Sequence, residues 1–256
     1  MIYITGDTHG DFNRFSTQVF PEQKAMTKED FVIILGDFGG VWRTDPKDRT
    51  ENYWLDWLEE KNFTTLFLDG NHENYDRLAA YPVQKWNGGK VQAVRPSVLH
   101  LMRGQVYQLE GKSFFVFGGA KSHDIRDGVF EADDPRLLRI LRLKKKGHPG
   151  FQDLQCRVNH VSWWEQELPS EEEMQEGLRT LDAVGWDVDF ILSHCLPTSL
   201  HLQAGEGQYV PDLLTDYLEE IWAEAGYGYW LCGHYHLDHN LTSREKILYT
   251  QITRIV

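Results

Sequence analysis

At 256 residues and 41% apolar content, the chain has material for one large core and reads as a single α/β domain spanning residues 1–256. Its formal net charge of −13 argues against nucleic acid and anionic membranes as partners, and two bound divalent cations would still leave it acidic. Three scattered cysteines, Cys156, Cys195 and Cys232, make no disulfide framework. No apolar run is long enough to span a bilayer and the first residues carry no signal-peptide pattern, so the expected location is the cytoplasm.

Taken in chain order, residues 2–5 and 31–35 are short apolar runs that predict buried strands. Residues 52–60 carry Tyr53, Trp54, Trp57 and Leu58 on one helical face. A third strand is predicted at 64–68. Residues 105–109 and 113–117 flank Glu110-Gly111-Lys112 and predict a hairpin. Residues 121–165 are charged, include Lys144-Lys145-Lys146, and read as an insertion or cap with a short helix at 137–143. Within it, Ser162-Trp163-Trp164 reads as a hydrophobic anchor or as a platform for a base. Ser170 with Glu173 three residues on is a capping box for a helix at 171–184, and Gly185 stops it. A strand at 188–192, a helix at 211–225 and a strand at 229–232 follow. Residues 241–255 predict a second hairpin, turning near Ser243-Arg244-Glu245.

Five motifs each follow one of these strands. They are Gly6-Asp7-Thr8-His9-Gly10, Gly36-Asp37, Gly70-Asn71-His72-Glu73, Ser193-His194 and Gly233-His234-Tyr235-His236. Ligands of open α/β sheets bind beyond the carboxyl ends of the strands, so one sheet would gather these residues. Asp7 and His9, like His234 and His236, are two apart, and in extended backbone such residues point to the same side. Each residue also has a plainer reading: Asp7 as a helix cap, Asp37 and Asn71 as turn formers, His194 as a satisfied polar group. The ordered set at strand ends is what points to metal ligation.

The order Asp-x-His, Gly-Asp, Gly-Asn-His-Glu, His, Gly-His-x-His resembles the calcineurin-like metallophosphoesterases, from Asp7 to His236. The resemblance implies a four-layer αββα sandwich with mixed sheets and a site at its edge. It implies two divalent metals, the first on Asp7, His9 and His236, the second on Asn71, His194 and His234, with Asp37 bridging. Two such metals roughly 3.5–4 Å apart can share a hydroxide that attacks a phosphate ester. His72, left without a metal, is the expected assistant to the leaving group, and Glu73 is expected to cap the next helix or orient His72. Nitrogen and oxygen ligands without thiolate admit manganese, the first expectation, and iron, zinc or cobalt.

The expected function is a metal-dependent phosphoesterase acting on phosphomonoesters or small-molecule diesters. A metal-binding scaffold and a nuclease are the alternatives. The protein Ser/Thr phosphatase branch carries an Asp-Arg pair after Gly-Asp; this chain has Gly39-Gly40-Val41-Trp42-Arg43 instead. Arg43 is therefore the candidate phosphate contact, and its plainer reading is a surface arginine. His194-Cys195 opens like a cysteine-phosphatase loop, but the required arginine position holds His201, and Pro197 removes a backbone donor. Specificity is expected to lie in residues 121–165 and 201–209. Nothing in the sequence speaks to self-association.

Overall fold

Alternate residues of the first strands face different layers. The structure, a computed structural model, describes residues 1–205 and 209–256; part of the 201–209 stretch, residues 206–208, lies outside them. In β1 (Ile2–Thr5) and β2 (Phe31–Ile34), Ile2, Ile4, Phe31 and Ile33 pack into one cluster, while Tyr3, Val32 and Ile34 pack into another. This is the two-residue period of a sheet buried on both faces.

The first sheet adds β3 (Thr64–Phe67), β4 (Val83–Trp86), β5 (Gly89–Arg95) and β6 (Val98–Leu101). Strands β1, β2, β3 and β6 are parallel neighbours; β5 and β4 extend the edge antiparallel. The predicted hairpin is β7 (Gln105–Leu109) with β8 (Lys112–Phe117). Then come β9 (Val129–Phe130) and β10 (Arg157–Val158), a parallel pair of their own. The second sheet is completed by β11 (Asp187–Ser193), β12 (Gly226–Cys232), β13 (His239–Asn240) and β14 (Glu245–Ile247), in the order β13-β14-β12-β11-β8-β7. The last strand, β15 (Thr253–Arg254), returns to pair antiparallel with β1.

The two sheets share one apolar cluster, with Ile4, Ile33 and Leu66 from the first and Phe114, Val116, Phe190, Leu192 and Leu231 from the second. Helix α1 (Arg49–Glu59) covers the outer face of the first sheet through Leu55 and Leu58. Helix α2 (Tyr75–Ala79) adds Leu78 to that cluster. Helix α3 (Pro135–Lys145) lies in the 121–165 segment, and α4 (Glu171–Ala183) starts at the Ser170–Glu173 capping box. Helix α5 (Thr198–Ala204) precedes α6 (Leu213–Glu224), which packs Leu214, Leu218 and Ile221 with Leu181 of α4 on the outer face of the second sheet. The layers therefore run α, β, β, α, a four-layer sandwich of mixed sheets.

Two expectations change. The C-terminal hairpin is β13 with β14, spanning 239–247 rather than 241–255, because β15 crosses to the other sheet. The five motifs also divide between sheets: β1, β2 and β3 carry the first three, β11 and β12 the last two. The site lies where the carboxyl edges of two sheets meet, not along one.

A buried ion pair ties that junction from behind. Asp69, just past β3, accepts from the Nε of Arg103 at 2.7 Å, from the Tyr75 hydroxyl at 2.9 Å and lies 3.1 Å from His100 Nε2. Burial alone would raise the Asp69 carboxyl, but Arg103 outweighs it and holds the group well below the usual range. Arg103 also donates to Tyr75 Oη and to the carbonyl of Gln166, so the start of α2 and the segment before α4 are fastened to one guanidinium.

Candidate metal centre

Asp7 and Asp37 are buried at the ends of β1 and β2, and in each carboxylate one oxygen is held by a backbone N–H from another motif. The His234 N–H donates to Asp7 Oδ1 at 2.8 Å, and the His72 N–H donates to Asp37 Oδ1 at 2.8 Å. The loops after β1 and β2 are also laced together, since the His9 N–H donates to the Asp37 carbonyl at 2.8 Å and the Gly10 N–H to Phe38 at 2.9 Å.

The remaining oxygens face histidines. Asp7 Oδ2 lies 3.1 Å from His236 Nε2 and 3.7 Å from His9 Nε2, and Asp37 Oδ2 lies 3.8 Å from His9 Nε2. The two Nε2 atoms of His9 and His236 are 2.9 Å apart. One ligand atom from each of Asp7, His9, Asp37 and His236 falls within 4.8 Å of all the others. His236 is stacked on Tyr249 at 4.7 Å, and Arg14 grips the Asp7 and Tyr249 carbonyls at 2.7 and 2.5 Å, which fixes both sides of this cluster.

His194 joins from the second sheet. Its Nδ1 lies 2.6 Å from the Leu35 carbonyl, which makes Nδ1 the N–H of the neutral ring and turns Nε2 toward Asp37 Oδ1 at 3.3 Å. The ring sits on the backbone: a Cβ at Gly36 would come 2.2 Å from Nδ1, and one at Gly70 would come 2.2 Å from Asp37 Oδ1 and 2.7 Å from His194 Nε2. His234 packs edge-on to His194 with ring centroids 5.0 Å apart. Asn71 is buried, its Nδ2 3.4 Å from Ser122 Oγ.

Charge follows this layout. Burial works against ionising Asp37, but His194, then His72 and His9, hold it far below the usual carboxylate range. Burial likewise opposes a charge on His194, yet Asp37 outweighs it and raises the imidazole to about 9. Burial pushes His9, His72 and His234 down, whereas the Asp7 contact pulls His236 up.

The backbone here is strained. Among the described residues, eight non-glycine positions have positive φ, and four of them are His9, Asp37, His234 and His236. The expectation that i and i+2 ligands share a side through extended backbone is thus replaced by left-handed turns that aim each side chain separately.

Three candidate ligands fit a cation on independent grounds. Among the described residues, Asp7 Oδ2, Asn71 Oδ1 and His194 Nε2 are buried atoms that no well-aligned hydrogen bond satisfies. Such orphans cost free energy unless something else satisfies them. Together with His9 and His236, they form a hard and borderline donor set without thiolate, the chemistry of a divalent metal rather than of a disulfide or a soft ion.

The other expected residues are placed as follows. His72 stands at the rim, its ring 4.9 Å from His9 and 5.3 Å from Trp42. With His9, Trp42, Arg43 and Trp54 it lines a cavity of about 170 Å³. The Arg43 side chain is exposed; its backbone N–H is held by Glu51 and its carbonyl by Arg77. Glu73 neither caps α2 nor orients His72. Asn74 is the cap, and buried Glu73 accepts from the Phe38 N–H at 2.6 Å, pinning the loop that carries Asp37. Burial, reinforced by Asp37, pushes its carboxyl well up. Cys195 is buried in the core of the second sheet with its thiol pushed up by burial, unsuited to act as a nucleophile.

Two residues past β8 escaped the sequence reading. His123 and Asp124 follow Ser122 beyond the carboxyl end of β8, and a strand-end rule extended past Gly118-Gly119 would have reached them. His123 faces His234 at 6.2 Å, and both line a second cavity of about 400 Å³ with Cys195, His201 and Tyr209. Arg157, on β10, places Nη2 3.5 Å from His72 Nε2, and no local pattern announces it.

A family profile described as calcineurin-like phosphoesterase matches residues 1–238. The chain belongs to that family. Membership places it among hydrolases of phosphate-ester bonds, and in a calcineurin-like phosphoesterase the clustered Asp7, His9, Asp37 and His236 are a possible divalent-metal site. The chain is 26% identical over 172 residues to lariat debranching enzyme A of Xenopus laevis, covering 58% of this chain and 31% of that protein. It is 27% identical over 143 residues to the lariat debranching enzyme of Homo sapiens, covering 51% and 25%. It thus spans about a third or less of the curated relatives it matches. A solved structure titled phosphopantetheinyl hydrolase, from Mycobacterium tuberculosis, superposes with a TM-score of 0.41 at 14% identity, covering 97% of this chain and 87% of that one. No helix among the described residues is long and apolar enough to cross a membrane.

Proposed function

We propose that this chain is a two-metal phosphoesterase in which Asp7, His9 and His236 hold one cation, Asn71, His194 and His234 hold the other, and Asp37 lies between them. The observation that carries the reading is the convergence of ligand atoms from Asp7, His9, Asp37 and His236, with orphaned Asp7 Oδ2, Asn71 Oδ1 and His194 Nε2 buried beside them. Two divalent cations, manganese being the first to test, would polarise the phosphoryl group and activate the attacking water.

The chain's own residues do the rest. The backbone N–H groups of His72 and His234 hold the two carboxylates in register. His72 faces the cavity beside His9, placed to share a proton with a departing oxygen. Segment 121–165 acts as a cap: Trp164 is buried, donates to Asp76 at 2.8 Å and packs against Trp42, so it serves as the anchor. The unpaired Cys156, Cys195 and Cys232 fit a reducing, cytoplasmic setting.

A small phosphate ester is favoured over a polymer. The flanking cavities, of about 170 and 400 Å³, suit compact substituents, and the charge of −13 repels polyanions. The names of the relatives favour a second reading, a phosphodiesterase acting on nucleic acid.

Purified protein with Mn2+ should hydrolyse 4-nitrophenyl phosphate or its bis-ester. Faster turnover of a branched RNA than of either aryl ester would favour the second reading. Bound metal without turnover of any of the three would leave a scaffold.

A further inference from the structure

The cap segment delivers a guanidinium to the rim of the centre. Arg157 lies on β10, which among the described residues pairs only with the two-residue β9, outside both large sheets. Its side chain is 17% exposed, and Asp124 holds it: Nε donates to both carboxylate oxygens at 2.9 and 2.8 Å, and Nη2 lies 2.6 Å from Oδ2. Nη1 reaches the Ser162 carbonyl at 3.4 Å.

A guanidinium has five N–H donors. Asp124 and Ser162 engage Nε, one N–H of Nη2 and one of Nη1. One N–H on each terminal nitrogen is left. Nη2 lies 3.5 Å from His72 Nε2, so a guanidinium and an imidazole close on the same spot at the rim. Two such groups, each able to donate, are best satisfied by an anionic oxygen that accepts from both. Arg43, the candidate from sequence, has an exposed side chain and no comparable clamp.

We infer that Arg157, positioned by Asp124, grips a non-bridging oxygen of the phosphoryl group, so that the 121–165 segment supplies part of the substrate site. This rests on the phosphoesterase reading for its substrate, but its recognition element is the phosphoryl anion alone. Arg157 would fix the phosphoryl group beside His72.

The test uses full-length, Mn2+-loaded protein and two readouts: calorimetric binding of inorganic orthophosphate, and hydrolysis of bis(4-nitrophenyl) phosphate. Metal content is checked by mass spectrometry. Arg157→Ala should weaken orthophosphate binding and kcat/KM by roughly 10- to 100-fold with metal content unchanged, the range expected for a charge-assisted contact. Arg157→Gln, which keeps most of the side chain's packing, should lose a similar factor and serves if the alanine protein is unstable. Asp124→Asn should give an intermediate loss. Orthophosphate affinity within twofold of wild type in either folded Arg157 variant overturns the assignment. So does a larger loss in Arg43→Ala, or wild-type protein that takes no orthophosphate at millimolar concentration. Wild-type protein that binds orthophosphate yet turns over no ester rejects the phosphoesterase reading, while the Arg157 variants still judge the grip.

Discussion

His9 and His236, 227 residues apart in sequence, bring their Nε2 atoms to 2.9 Å of one another beside two buried carboxylates. That arrangement leaves several lone pairs converging on one point. A divalent cation should therefore stabilise the protein markedly. Mn2+ at a hundredfold excess over its Kd should add about 2.7 kcal/mol, and chelation should remove it. Melting curves with and without EDTA check this, and His236→Ala should blunt the response. Superimposable curves for the wild type would count against a metal centre.

Asp37→Asn and His72→Ala should part company. The first removes an oxygen charge from the centre and should lower both metal content and rate. The second should keep the metal and lose roughly 10²- to 10⁴-fold in kcat, the usual yield of a proton-transfer group. Metal analysis beside steady-state kinetics separates the two. A wild-type rate in His72→Ala would remove its role.

Gly70→Ala tests close packing. Its Cβ would intrude to 2.2 Å from Asp37 Oδ1 and 2.7 Å from His194 Nε2, so the ligands must move. A cost of about 1–3 kcal/mol in stability is expected, together with reduced metal stoichiometry. Full stoichiometry with wild-type affinity would show that the centre yields more easily than its geometry implies.

Arg103→Met leaves the Asp69 carboxylate buried without its guanidinium. Breaking such a pair from one side costs about 3–5 kcal/mol. Urea denaturation should show that loss, and adding Asp69→Leu should restore part of it. A single variant within 1 kcal/mol of wild type, on the order of a surface change, would contradict the buried pairing.

Glu167 gives a pH signature. Its carboxyl is pushed up to about 8 by burial, while Ser122 donates to it at 3.1 Å. Between about 4.5, its ordinary value, and 8, the unfolded chain releases a proton that the folded protein keeps. Stability from this group therefore falls as pH rises through that window and is level above it. In metal-free protein, Glu167→Gln should match wild type near pH 5 and exceed it by roughly 1–3 kcal/mol at pH 8. Parallel pH profiles of the melting midpoint would contradict this.

Much of the fold was legible because most of its parallel strands are short apolar runs, five of them ending in a Gly-Asp, Gly-Asn, Ser-His or Gly-His motif. The hairpin β4–β5 was not. Val83, Gln84 and Lys85 of β4 are exposed, so no apolar run marks them. Its turn, Asn87-Gly88 with φ of 45° and 95°, was the available signal. Strand pattern also could not reveal that the five motifs divide between two sheets, since β8, β11 and β12 read like β1 to β3 and only pairing tells them apart. The candidate ligand residues were legible as types at strand ends. Their aim was not, because His9, Asp37, His234 and His236 take left-handed backbone that side-chain identity does not specify. Arg157 was hidden for a different reason: its two-residue strand carries no periodicity, and its importance comes from a pairing with Asp124 that is long-range in sequence.

The meeting of two sheet edges at the centre has a mechanical consequence. Apart from β15, the first sheet is drawn from residues 2–101 and the second from 105–247, so the two halves of the chain meet at the candidate ligands. A cation there is a rivet between halves that otherwise adhere through apolar contact and a few hydrogen bonds such as His234 N–H to Asp7 and His194 to the Leu35 carbonyl. Any opening that slides one sheet off the other must first release it. The rate of unfolding, and not the equilibrium alone, should then track free metal concentration.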